Sequence, residues 1–117
     1  MDKKVVVLIR HSPLNSIRNS EGLRQSVGLT LADNAVTVIL LDGAAWLATS
    51  VAPGLIGGGE VKKHIQTLPL LKGRVLVEKE SLERHGIDQG SVTKGIEVVD
   101  RDAVTEEITE AGAVVAF

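Results

Sequence analysis

The sequence has 117 residues, of which 44% are hydrophobic and 24% are charged, a composition that indicates one globular domain over residues 1–117. It contains no Cys and only two aromatic residues, Trp46 and Phe117, which excludes disulfides and thiolate chemistry and argues against base stacking on nucleic acids. The formal net charge of −2 supplies no basic field for DNA or an anionic membrane. The early apolar run is too short to span a bilayer, so we expect a cytoplasmic protein with no membrane partner.

The first part of the chain predicts a strand, a helix and a second strand. Residues 5–9 form a continuous apolar run, rich in β-branched side chains, that is typical of a strand buried on both faces. A helical spacing follows, with Leu23, Val27 and Leu31 on one stripe. Residues 35–41 form a second buried strand. The three elements predict a βαβ unit with parallel strands.

The second part of the chain predicts three further strands that alternate with helices. Short helices are expected over residues 44–48 and 60–70, and Gly86 is expected to end another in a Schellman cap. Asp100 is expected to cap a last helix. The strands are predicted over residues 74–77, 94–99 and 113–117. This order predicts an α/β fold with a five-stranded, mainly parallel sheet that is covered by helices on both faces.

Candidate ligand-binding residues follow from the rule that parallel sheets bind ligands beyond the carboxyl ends of their strands. The residues that this rule selects are Arg10, His11, Ser12, Asn15, Asp42, Trp46 and Glu78. His11 and Ser12, close to a helix start, could bind an anion or move a proton. Local hydrogen bonds to loop backbone are the favoured explanation of Ser12 and Asn15, because no further member of a catalytic triad is recognisable. For Trp46, burial in the core or an interface is favoured over a pocket.

Two further patterns do not predict a bound group. The glycines at 57–59 lack the Lys-Ser/Thr ending and the preceding strand of a phosphate loop, so they are interpreted as a hinge or turn. His11, His64 and His85 are not spaced as metal ligands. We therefore predict no metal and no cofactor.

Four strings are distributed over nearly the whole chain in a recognisable order. They are the opening KKVVVLIRHSPLNS, the turn Asp42-Gly43-Ala44 after the second strand, the segment Ser81-Leu82-Glu83-Arg84-His85-Gly86-Ile87-Asp88, and the last strand ending in Phe117. Together they resemble the DsrE/DsrF-like sulfur-relay superfamily, and within it most of all the DsrF/TusC type. The resemblance implies a three-layer flavodoxin-like or YchN-like sandwich that assembles into trimers, hexamers or hetero-oligomers with related subunits.

The resemblance also indicates the position at which a Cys would be needed for sulfur transfer. In such families the Cys that carries a persulfide, where present, lies shortly before the Ser-Leu helix. Counting back three residues from Ser81 leads to Glu78. A carboxylate cannot carry a sulfane sulfur, because the persulfide forms on a thiolate.

The resemblance and the residues together lead to ranked expectations of function. The first is a non-catalytic DsrE/DsrF/TusC-like subunit of intracellular sulfur relay, which acts by assembling with copies of itself or with related Cys-bearing subunits. The alternative is a small-molecule or anion-binding protein with its pocket at the carboxyl ends of the strands. A third hypothesis, a hydrolase or lyase with Glu78 as acid or base, has only the position of that residue in its favour.

Overall fold

The computed structural model describes residues 3–10, 16–32, 34–49, 65 and 67–117. In this part of the chain a five-stranded sheet has the order β4-β3-β2-β1-β5, and every neighbouring pair is parallel. The strands are β1 (Lys3–Ile9), β2 (Asn34–Leu40), β3 (Arg74–Glu78), β4 (Glu97–Val99) and β5 (Ala113–Ala116). The α-helices are α1 (Ser16–Leu31), α2 (Lys79–Arg84) and α3 (Arg101–Glu110). The predicted α/β fold with a five-stranded parallel sheet is confirmed.

Alternation of side chains along the strands divides the core into two layers. The layer that contains Leu23 of α1 and Leu82 of α2 includes the odd-numbered residues of β1, such as Val7. The layer that contains Val104 of α3 includes Val6 and partly buried Leu8. We call these two sides of the sheet the α1 face and the α3 face. The sheet is therefore covered on both faces, as its apolar strands predict.

The ends of α2 and α3 are set by local sequence as predicted. Gly86 has a φ of +65°, which favours glycine because it lacks a Cβ. The N–H of Ile87 donates to the carbonyl of Leu82 at 2.9 Å, and that of Gly86 donates to Glu83 at 3.1 Å, the pair of bonds that defines a Schellman cap. At the start of α3, the Asp100 carboxylate accepts the N–H of Ala103 at 2.9 Å. Both caps are confirmed.

Several predicted boundaries and one predicted stripe differ in the structure. β4 begins at Glu97 and not at residue 94, because a turn at residues 94–95, with Gly95 at a φ of +98°, precedes it. Leu31 is 69% exposed at the end of α1, so the predicted apolar stripe stops before it. Residues 42–48 form a 3-10 helix, Asp42–Ala48, and Gln89–Ser91 form another.

Part of the predicted organisation lies outside the described residues. This holds for the glycines at 57–59 and for His64, while residues 67–70 are helical as the predicted helix over 60–70 requires. Among the described helices, none combines the length and the apolar character needed to cross a membrane.

Candidate functional site

Glu78 lies at the carboxyl end of β3, where the chain turns into α2. The residue is only 7% exposed. Its Oε1 accepts a hydrogen bond from the Ser81 hydroxyl, with 2.6 Å between the oxygen atoms. The structure thus places a hydrogen-bonded acid, and not an isolated one, at the end of β3.

The Ser81 hydroxyl joins the end of β3 to the end of β2. Besides donating to Glu78, it accepts the backbone N–H of Asp42 at 2.9 Å. Asp42 has a φ of +48°, a left-handed conformation that Asp tolerates better than most side chains. Its carboxylate forms an ion pair with Arg84, one turn further along the same helix as Ser81. Two contacts therefore hold the turn after β2 against α2.

The N-terminus of α3 completes the cluster from the other side of the sheet. The guanidinium Nε of Arg101 lies 3.5 Å from Oε2 of Glu78. The backbone N–H of Arg101 donates to Oε2 of Glu80 at 3.1 Å, whereas the buried Oε1 of Glu80 has no hydrogen-bond partner. We call the group Asp42, Glu78, Glu80, Ser81, Arg84 and Arg101 the carboxyl-end site. It lies where α2 and α3 leave neighbouring strands towards opposite faces, the kind of crevice in which parallel sheets bind ligands.

The structure brings together only some of the residues that the sequence selected. Asp42 and Glu78 share the contact to Ser81. Arg10 follows β1 as an exposed residue whose backbone N–H donates to the carbonyl of Phe117 at 3.3 Å. Trp46, in the 3-10 helix after β2, packs partly buried against the α1-face core. His11, Ser12 and Asn15 lie outside the described residues.

Sequence reasoning missed Glu80, Ser81, Arg84 and Arg101 as members of this site. Arg101 could have been found, because it follows β4 and the rule on carboxyl ends applies to the fourth strand as well as to the first three. Ser81 carries a weaker signal, since a Ser three residues after Glu78 at a helix start is typical of local hydrogen bonding. Nothing in the sequence indicates that Arg84 pairs with Asp42.

The chemistry available to this arrangement is limited by its own hydrogen bonds. Ser81 is fully buried and uses its hydroxyl both as donor and as acceptor, so it is not placed to attack a substrate. Arg84 and Arg101 each contact a carboxylate, which reduces their attraction for an added anion. Within the described ranges, no three His, Asp or Glu side chains converge as metal ligands.

Comparison with known proteins places the fold and the family. The DsrE/DsrF-like family model matches residues 3–117. The fold is similar to that of the ychN protein from E. coli, with a TM-score of 0.83 at 20% identity over 100% of both chains. It is also similar to MTH1491, a protein of unknown function from Methanobacterium thermoautotrophicum, with a TM-score of 0.70 at 16% identity over 99% of this chain and 100% of that one.

A search of functionally curated proteins gives no significant match. The structural likenesses lie below 25% identity and concern the fold, whereas the family model covers almost the whole sequence. The resemblance to the DsrE/DsrF-like family and the YchN-like architecture are confirmed, whereas the DsrF/TusC type stays a prediction. The chain belongs to the DsrE/DsrF-like family.

Proposed function

We propose that the chain is a non-catalytic, DsrF/TusC-like component of intracellular sulfur relay, which acts in the cytoplasm by assembling with copies of itself or with related Cys-bearing subunits. The observation that carries this proposal is the identity of residue 78. At the carboxyl end of β3, before the Ser81-Leu82 segment, the chain has a buried glutamate that is bound by Ser81 and Arg101. The whole sequence has no Cys.

The physical argument concerns what a carboxylate can and cannot do at this position. A persulfide forms on a thiolate, so Glu78 cannot accept a sulfane sulfur. Both oxygens of its carboxylate contact groups of the same chain, which supports a role in shaping the site. Any sulfur transfer involving this protein would then use a thiol of another subunit.

Assembly is supported by apolar side chains that are exposed on the described surface. The exposed fraction is 83% for Leu70, 44% for Val114 and 36% for Val115. Large exposed apolar groups favour contact with another chain when they form part of a patch.

The assembly proposal is tested by the mass of the purified protein in solution. Light scattering and native mass spectrometry at micromolar concentration are expected to show a complex, either for the chain alone or after mixing with Cys-bearing DsrE/DsrF-like proteins of the same cell. A monomer under both conditions contradicts the proposal.

The non-catalytic part is tested by exposure to sodium polysulfide, followed by mass spectrometry of the intact chain. Wild type is expected to gain no sulfur. Glu78→Cys is expected to gain sulfur, and Glu83→Cys, at an exposed position of α2, is the matched control for general thiol reactivity. A stable sulfur adduct on wild type contradicts the proposal, because it would require a carrier other than a thiol.

The alternative function, binding of a small molecule or anion, is favoured by one observation. Arg84 and Arg101 approach Asp42 and Glu78 at the strand ends where this fold class binds ligands. A ligand would have to compete with the carboxylates for both arginines. A thermal-shift panel of anions and nucleotides tests this alternative: a shift that Arg84→Ala abolishes supports it, and no shift across the panel contradicts it.

A further inference from the structure

β5, a strand of four residues, forms one edge of the sheet, and within the described part of the chain this edge shows neither charge nor proline. Residues 111–117 read AGAVVAF, with no charged side chain and no proline. Val114 and Val115 are 44% and 36% exposed. Proteins normally protect such edges with charge, proline or very short strands, because a free edge can pair with another chain.

β4, at the opposite edge of the sheet, is protected by its short length and by a charged side chain. β4 has only three residues, Glu97–Val99. Its exposed Glu97 forms an ion pair with Arg74, at 3.5 Å between Oε2 and the guanidinium nitrogen. A charge on the edge strand disfavours pairing with another strand. The two edges of one sheet are therefore built differently, and only β5 is free of charge.

The exposed valines of β5 lie on opposite faces of the sheet. Val114 is in register with Val6, whose side chain belongs to the α3 face, and Val115 is in register with Val7 on the α1 face. A helix laid on one face would cover only one of the two valines. A strand added at the edge extends both faces at once and places a side chain beside each valine.

We propose that β5 pairs in antiparallel orientation with β5 of a second copy of this chain, so that two five-stranded sheets become one continuous sheet. This inference rests on the proposed function in its homo-oligomeric form and names the contact surface. The lack of charge over residues 111–117 favours a second copy as the occupant, because two identical edges then meet without repulsion. Such a two-fold contact uses the same patch on both partners.

The two-fold symmetry restricts the register of the paired strands. For antiparallel edge strands the axis is perpendicular to the sheet, so the α3 face of one copy continues into the α3 face of the other. Directly opposed residues must then lie on the same face. The centre of the contact is therefore a residue opposite its own counterpart. Val114 and Val115 are the middle residues of β5, so a contact centred on either one pairs the greatest length of the strand.

The absence of native Cys makes this register measurable by oxidative crosslinking. Directly opposed positions in antiparallel strands have Cβ atoms about 4.5–5.5 Å apart, near the range that a disulfide spans. The variants are Val114→Cys and Val115→Cys, with Leu31→Cys as the control because Leu31 is 69% exposed and lies on α1. Under copper–phenanthroline at micromolar protein, one β5 variant is expected to form covalent dimers about a hundredfold faster than the control, because pairing gives a millimolar effective concentration.

A disruption experiment accompanies the crosslinking. Val114→Lys places a charge on the edge and is expected to dissociate the β5 contact, whereas Leu31→Lys is expected to leave the solution mass unchanged. Circular dichroism melting verifies that both variants fold. An oligomeric wild type whose mass Val114→Lys does not change, with neither Cys variant crosslinking faster than the control, overturns only the β5 pairing. A wild type that stays monomeric overturns the pairing and the homo-oligomeric form of the proposed function together.

Discussion

The two ends of α3 contact charged groups at opposite ends of the strands, and the two groups differ in how deeply they are buried. At its first residue, Arg101 reaches the carboxyl-end site, where Glu78 is 7% exposed. Towards its last turn, the Glu107 carboxylate bridges Lys4 at 3.2 Å and Arg74 at 3.0 Å. The second group lines a groove of about 330 Å³ between α3 and the amino ends of the strands.

The comparison indicates that burial, more than the number of charges, decides how much a polar cluster contributes to the stability of the fold. At the carboxyl end, Ser81 and Glu78 are withdrawn from water, so each depends on the other for its hydrogen bond. At the amino end, the side chain of Glu110 is 58% exposed and that of Lys4 is 34% exposed. Water can replace those contacts. We therefore expect substitutions at the carboxyl end to cost more stability.

The largest effect is expected for Glu78→Ala. The change removes the acceptor of the buried Ser81 hydroxyl and the ion-pair partner of Arg101, and it leaves a cavity. We expect the free energy of unfolding, measured in urea, to fall by about 2–3 kcal/mol. Glu78→Gln keeps the shape and an acceptor oxygen, so its loss is expected to be smaller. An increase in stability for Glu78→Ala would show that the buried carboxylate is a net cost to the fold.

A smaller effect is expected for Ser81→Ala. The methyl group fits the site, but the N–H of Asp42 loses its acceptor and Glu78 loses a donor. The expected loss is about 1–2 kcal/mol in the same urea titration. Ser91→Ala is the matched control, because the Ser91 hydroxyl bonds an exposed backbone carbonyl at 2.6 Å. Equal losses for the two variants would contradict the argument from burial.

At the amino end, Glu107→Gln is expected to reduce stability by about 0.5–1 kcal/mol, and this loss should shrink as salt is raised. Glu107 is better buried than Glu110: its side chain is 12% exposed, and that of Glu110 is 58% exposed. Glu110→Gln is the control and is expected to change stability by less than about 0.5 kcal/mol, since an exposed ion pair contributes little. A larger loss for Glu110→Gln than for Glu107→Gln would contradict the ranking.

The smallest effect concerns alkaline pH and Lys4. The hydrogen bond to Glu107, followed by the contact to Glu110, raises the pKa of Lys4 above its ordinary value of 10.5. A pKa raised by folding means that the stabilisation is complete below the unfolded value and is lost as pH rises through the folded value. The difference in melting temperature between wild type and Lys4→Met should therefore stay constant from neutral pH towards 10.5 and decrease above it. A difference that grows above that pH would contradict the assignment.

Some features of this protein follow from short stretches of sequence. The apolar runs of β1 and β2 predict strands buried on both faces, and Gly86 and Asp100 predict the caps that the structure shows. These features depend on the conformational preferences of a few neighbouring residues, which the tertiary fold does not override. The same reasoning placed Asp42 and Glu78 at strand ends, because a parallel sheet fixes where its strands end.

Other features required the three-dimensional structure. Contacts such as Arg84 to Asp42 join residues 42 positions apart, and no local pattern encodes them. Leu31, despite its place on the helical stripe, is exposed as the last residue of α1.

By itself, the sequence determined the order of elements, the family resemblance and the absence of a thiol, because each depends on residue identity and short-range pattern. Only the tertiary structure decided that Glu78 is buried against Ser81 and Arg101, and that β5 is an uncharged edge with a valine exposed on each face. The physical reason is that burial and strand order are set by packing between distant segments, whose relative positions a linear pattern does not contain.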